Sequence, residues 1–132
     1  MIFKTEVRVR FSETDMAGWV YYGNYFVYFE VGRATMYREL GVTYNDLKKE
    51  GLMLPIVEAH CEYRHPAKYD DVLEVHTRIT EVREKSLRTE YEVYKEGVLL
   101  ARGYCIQVCV DAERKARALP ELLRKKIEAT EK

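Results

Sequence analysis

The sequence predicts an α+β domain: one strand, a long buried helix, and an antiparallel meander that can curl around that helix. Three observations carry this. Phe3, Thr5, Val7, Val9 and Phe11 alternate with Lys4, Glu6, Arg8 and Arg10, the period of two of a strand with one buried face. Asn24 to Leu40 contains no proline and stops at Gly41, a favoured helix terminator. Alternating runs then recur around Leu73 to Ile79, Leu87 to Val93 and Val98 to Val110.

Between the first strand and the helix, Ser12 to Gly23 breaks the alternation with small, polar and glycine residues. The first half of the helix, Tyr25-Phe26-Val27-Tyr28-Phe29, is apolar all round, so other elements should wrap it. Thr43 can cap a second, short helix reaching Glu50, with Gly51 ending it. Leu52 to Tyr63 reads as an extended segment interrupted by Pro55, which suits an edge or a bulge. Lys95-Glu96-Gly97 is a hairpin turn. Pro120 sits where a first helical position would, opening a C-terminal helix from Glu121 to about Ala129. No linker or repeat interrupts the chain, and a single domain over 1–132 is expected.

Composition removes several functional classes. Lys plus Arg and Asp plus Glu balance at 22 each and are interleaved, so the basic face of a nucleic-acid binder is not expected. No apolar run approaches the roughly 20 residues of a membrane span. Cys61, Cys105 and Cys109 are an odd count behind no basic-then-apolar leader, so a disulfide framework is not expected and a cytoplasmic location is. Cys105 and Cys109 fall on one face of a strand and read as buried thiols, with no second ligand pair at metal-binding spacing. His60, His65 and His76 share no spacing, and neither a metal nor a cofactor is implied.

Chemistry concentrates in Phe11 to Tyr25, where acidic residues stand on a loop just ahead of a helix. The first amides of a helix lack internal partners and carry partial positive charge, so they can bind a carbonyl oxygen that becomes an oxyanion. A carboxylate beside them can activate water or itself attack the carbonyl carbon. Taken alone, Asp15 reads more readily as a turn former or cap than as a catalytic group.

Asp15-Met16-Ala17-Gly18, the apolar Trp19-Val20-Tyr21, Tyr22-Gly23-Asn24-Tyr25 and Phe29-Glu30-Val31-Gly32-Arg33 resemble the signature of the 4-hydroxybenzoyl-CoA thioesterase family, including its acyl-CoA thioesterase branch found in Tol-Pal gene clusters. Pro55-Ile56-Val57, Tyr69 to Leu73, Lys85-Ser86, Cys109-Val110-Asp111 and Arg117 to Pro120 follow that family in the same order. The resemblance implies the hot-dog fold, a sheet of about five strands around one central helix, and hydrolysis of acyl-CoA to free acid and CoA. It implies that Asp15 is the base or nucleophile and that the Tyr22 backbone amide polarises the thioester carbonyl. The Tol-Pal branch usually carries His at the Tyr22 position and the hydroxybenzoyl branch Tyr. Gly23 and Asn24 shape the helix start, with Asn24 a cap or a support for the Asp15 loop. Arg83, Lys85, Ser86 and Arg117 match positions that hold the CoA phosphates, often from a neighbouring subunit.

Glu30 is a competing carboxylate, but Arg33 lies three residues on and an ion pair between them is expected; Glu13 reads as a solvated loop acid. An exposed strand edge should pair between protomers, giving a homodimer or homotetramer with the site between subunits. Two rival functions remain: a non-hydrolytic scaffold binding acyl-CoA or acyl carrier protein, and an enoyl-thioester hydratase. The hydratase needs Asp and His together, and no histidine precedes His60.

Overall fold

A computed structural model describes residues 1–131. Strand β1 (Phe3–Arg8) buries Phe3 and leaves Lys4, Glu6 and Arg8 outward, as its alternation requires. The strand ends three residues short of Phe11. Phe11 opens a 3₁₀ turn instead and points into solvent at 76% exposure, because the loop must begin turning there.

A second 3₁₀ turn, Tyr22–Asn24, leads directly into helix α1 (Tyr25–Leu40), which Gly41 closes at φ 79°. That left-handed conformation lets the Gly41 amide reach back to the Tyr37 and Arg38 carbonyls. Helix α2 (Tyr44–Lys49) has the expected cap: Thr43 Oγ1 accepts from the Asp46 amide, and Asp46 accepts from the Thr43 amide. The short strand β2 (Leu52–Met53) precedes Pro55, and β3 (Ile56–Tyr63) follows it. Strands β4 (Val72–Val82), β5 (Ser86–Lys95) and β6 (Val98–Val108) form the meander, and β7 (Val110–Asp111) pairs with β2. Helix α3 (Glu121–Thr130) starts at the expected Glu121 and runs one residue further than Ala129, with Pro120 as its N-cap rather than its first helical residue.

The five main strands are antiparallel in the order β1-β4-β5-β6-β3, so β3 is an edge. Helix α1 lies across their inner face. Its first half packs with Val9, Leu73, Val75, Tyr91 and Val93, and its second half joins Leu87, Cys109, Leu123 and Ile127 from the sheet and α3. Close approach depends on two glycines. A β-carbon on Gly32 of α1 would overlap Thr77 Oγ1 and stand 2.9 Å from Val75 Cγ1, and one on Gly103 of β6 would overlap the His60 carbonyl. This is the hot-dog arrangement, α+β, with the helix as filling.

Two expectations about α1 are corrected. The wrapping is incomplete: Tyr25, Tyr28 and Phe29 are buried, but Phe26 and Val27 are 39% and 46% exposed. No Glu30–Arg33 ion pair forms among the described residues. Arg33 turns inward and donates to Tyr91 Oη at 3.0 Å and towards Cys105 Sγ at 3.8 Å, while Glu30 stays on the outer side. Cys105 and Cys109 are both buried, as their spacing implies, and burial pushes the Cys109 thiol up. Among the described residues no helix is long and apolar enough to cross a membrane, and no cluster of metal-ligating groups forms.

Candidate active site

The Asp15 loop is a tight reversal. Thr14 bridges to Val20, the Asp15 amide donates to the Trp19 carbonyl at 2.7 Å, and Gly18 takes φ 84° to close the turn. Asp15 Oδ1 accepts from the Ala17 amide at 2.9 Å and the Trp19 amide at 3.2 Å. These bonds fix the carboxylate. Oδ2 has no partner among the described residues, and the side chain is exposed, so one oxygen remains available to a substrate or water.

Glu13 is more than a solvated loop acid. Its Oε1 accepts from the Arg10 amide and from Tyr28 Oη, both at 2.9 Å, and its carbonyl accepts from the Tyr21 amide. Burial pushes the Tyr28 phenol up, so it stays a neutral donor, and the loop is thereby pinned to α1. No sequence spacing signals this contact, since 15 residues separate the partners.

At the helix start, the Asn24 amide donates to the Tyr21 carbonyl, whereas the Tyr22 and Gly23 amides donate to no other group among the described residues. Two free N–H groups therefore stand at the N-terminus of the combined 3₁₀ turn and α-helix. The Tyr22 carbonyl is held by Tyr63 Oη at 2.8 Å, which ties this end to the edge strand. A β-carbon at Gly23 would come within 3.1 Å of the Tyr21 ring, so glycine lets that ring lie against the turn. Asn24 does not cap: its backbone is already helical and its side chain bonds no cap amide. Its Nδ2 is buried on the Tyr28 side and makes no hydrogen bond of good geometry.

The four phosphate-binding candidates lie elsewhere in the same protomer. The Arg83 amide donates to the Ser86 carbonyl, the Cys109 amide to the Lys85 carbonyl, and the Arg117 amide to the Cys109 carbonyl, which gathers all four at one end of the sheet. Arg83 pairs with Glu81 at 2.6 Å and Arg117 with Asp111 at 2.8 Å, all four partners solvent-facing to some degree. Strand β4 separates this end from the Asp15 loop by ten residue steps, roughly 33 Å. One protomer thus does not bring the cations to the loop.

A hot-dog domain with an anchored carboxylate on the loop that leads into two unpaired helix-start amides has the architecture of a thioester-processing fold. The chain belongs to the thioesterase-like superfamily, whose model matches residues 9–127. It is 36% identical to the acyl-CoA thioester hydrolase YbgC of Escherichia coli, covering 91% of each chain. A 1,4-dihydroxy-2-naphthoyl-CoA hydrolase of Synechococcus elongatus is 28% identical with 92% of each chain covered. Among solved structures, a 1,4-dihydroxy-2-naphthoyl-CoA thioesterase from Synechocystis superposes with a TM-score of 0.91 at 26% identity, covering 100% of this chain and 99% of that one.

Proposed function

We propose that the protein hydrolyses acyl-CoA thioesters to the free acid and CoA, as its relatives' names describe for them. The observation that carries this is the pairing of an anchored Asp15, with one carboxylate oxygen free, and the unpartnered Tyr22 and Gly23 amides at the start of α1. The thioester carbonyl oxygen accepts from those amides, and Asp15 Oδ2 either takes a proton from the attacking water or attacks the carbonyl carbon itself to give a mixed anhydride that water then cleaves to the acid and free Asp15. The C–S bond breaks and CoA leaves as a thiolate, a good leaving group that needs little acid assistance. Within the superfamily, the motif around Asp15 and the likeness to YbgC favour the acyl-CoA thioesterase branch.

The assembly we propose is a homodimer, or a tetramer of two dimers, in a cytoplasmic setting. It supplies the CoA phosphates with Arg83, Lys85, Ser86 and Arg117 of the partner subunit, because those residues stand too far from Asp15 in their own chain. Thiol release measured over a panel of acyl-CoAs tests the reading. Asp15→Asn keeps the fold and lowers turnover at least about a hundredfold. An unchanged rate refutes the assignment, and acyl-CoA binding by a wild-type protein that releases no thiol identifies a scaffold instead.

A further inference from the structure

Helix α3 turns one of its cations onto main chain. Arg124, Lys125 and Lys126 follow one another in it; the lysines are exposed, whereas Arg124 is half-buried next to Leu123, which faces the core. Glu121 and Glu128 stand three residues before and four after Arg124, at ion-pair spacing, yet it pairs with neither among the described residues. Its Nη2 instead donates to the Arg83 carbonyl at 2.9 Å and to the Glu84 carbonyl at 3.2 Å.

Those carbonyls belong to the turn between β4 and β5, which cannot hold its shape unaided. Hairpin turns that match strand twist need positive φ at a central residue, and neither Glu84 nor Lys85 has it. The Ser86 amide does not close the turn onto the Arg83 carbonyl, which Arg124 occupies. The remaining acceptors are held from the same direction: the Leu119 amide donates to the Glu84 carbonyl at 2.9 Å and the Cys109 amide to the Lys85 carbonyl at 2.8 Å. A planar trans peptide points its N–H opposite to its C=O. The Glu84, Lys85 and Ser86 amides, which follow these three carbonyls, therefore point away from the groups that hold them. Those of Glu84 and Lys85 donate to no group among the described residues, and Arg83, Glu84 and Lys85 are exposed. Free main-chain donors beside the Arg83 and Lys85 side chains and the Ser86 hydroxyl make a surface suited to phosphate oxygens.

We propose that Arg124 is a positioning residue for the CoA moiety: it holds the Arg83–Ser86 turn in the shape that presents these donors to phosphate, from the opposite side of the turn and without touching the substrate. The inference rests on the hydrolase reading and on the phosphate role given there to Arg83, Lys85, Ser86 and Arg117, and adds the residue that makes that role possible. Arginine suits the task because it stays charged and its rigid fork lets one nitrogen serve two neighbouring carbonyls.

The test compares one acyl group, the fastest in the thiol-release panel, carried on CoA and on N-acetylcysteamine, which offers the same thioester without phosphates. Arg124→Ala raises KM for the acyl-CoA about tenfold with kcat within about twofold, and leaves kcat/KM for the N-acetylcysteamine thioester within about twofold. Introduced into Arg83→Ala/Lys85→Ala, whose phosphate contacts are already weakened, it costs less than about twofold more. If Arg124→Ala fails to fold by circular dichroism, Arg124→Gln is measured in its place with the same expectations. An unchanged KM, or an equal loss on both thioesters, overturns the positioning role alone. So does a loss that adds in full to that of Arg83→Ala/Lys85→Ala, since it would mean that Arg124 meets the phosphates itself. A wild-type protein that handles both thioesters equally well overturns the phosphate site and this inference together, and one inert to every acyl-CoA overturns the hydrolase reading as well.

Discussion

Gly32→Ala is a one-carbon probe of how closely α1 must sit on the sheet. The added methyl would stand 2.9 Å from Val75 Cγ1 and closer still to Thr77 Oγ1, against an ordinary carbon contact of about 3.6 Å. Val75 and Thr77 are β-branched, fully buried and fixed in β4 by pairing on both sides, so neither side chain can swing away. The helix must instead lift by roughly 0.7 Å or more, loosening Tyr28, Phe29 and Met36. Overpacking of this kind costs about 3 kcal/mol, and alanine's better helix propensity returns about 1, leaving a net loss near 2 kcal/mol. Urea denaturation at fixed protein concentration should show a lower midpoint with an unchanged slope. Because the 3₁₀ turn that carries the Tyr22 and Gly23 amides leads directly into this helix, acyl-CoA turnover should fall by about tenfold or more in the folded variant. An unchanged or raised midpoint would refute the argument that glycine is required for contact.

Two further perturbations address the loop and the helix start. Tyr63→Phe removes the hydroxyl that holds the Tyr22 carbonyl; we expect about 1 kcal/mol of lost stability and a kcat reduced several-fold with KM little changed, read from steady-state thiol release. Asp71 is pushed up by burial, but the Lys68 amide at 2.8 Å and Lys95 Nζ at 2.9 Å outweigh this and hold its carboxyl below the usual range. A depressed folded value means its contribution is complete above the ordinary carboxylate value of about 4 and is lost as pH falls below it. Thermal melts from pH 6 to pH 3 should therefore steepen below pH 4 in wild type and flatten in Asp71→Asn, and identical profiles would count against this pairing.

Much of the fold was legible because its signals are local. Alternation from Phe3 to Val9 needs only the strand's two-residue period, Thr43 caps an amide three residues away, and Gly41 relieves strain at its own backbone. Pro55 likewise announced the edge it flanks. The errors involve partners distant in sequence. Arg33 was expected to choose Glu30 one helical turn away, but the sheet offered Tyr91 and Cys105 across the core. Asn24 has the right chemistry for a cap, yet the preceding 3₁₀ turn had already made its backbone helical. The Asp15 motif was visible only through family resemblance. The devices that hold it in place, Glu13 against Tyr28 and Tyr63 against Tyr22, join residues 15 and 41 positions apart and carry no periodic signature.

That last tether has a consequence for how the protein breathes. Tyr63 ends a strand bonded on one side only, and its hydroxyl steadies the turn that presents the Tyr22 and Gly23 amides. Fraying at that end of the strand would release the turn at the same moment. Warming that loosens the Tyr63 end alone would therefore cost turnover before it cost the fold.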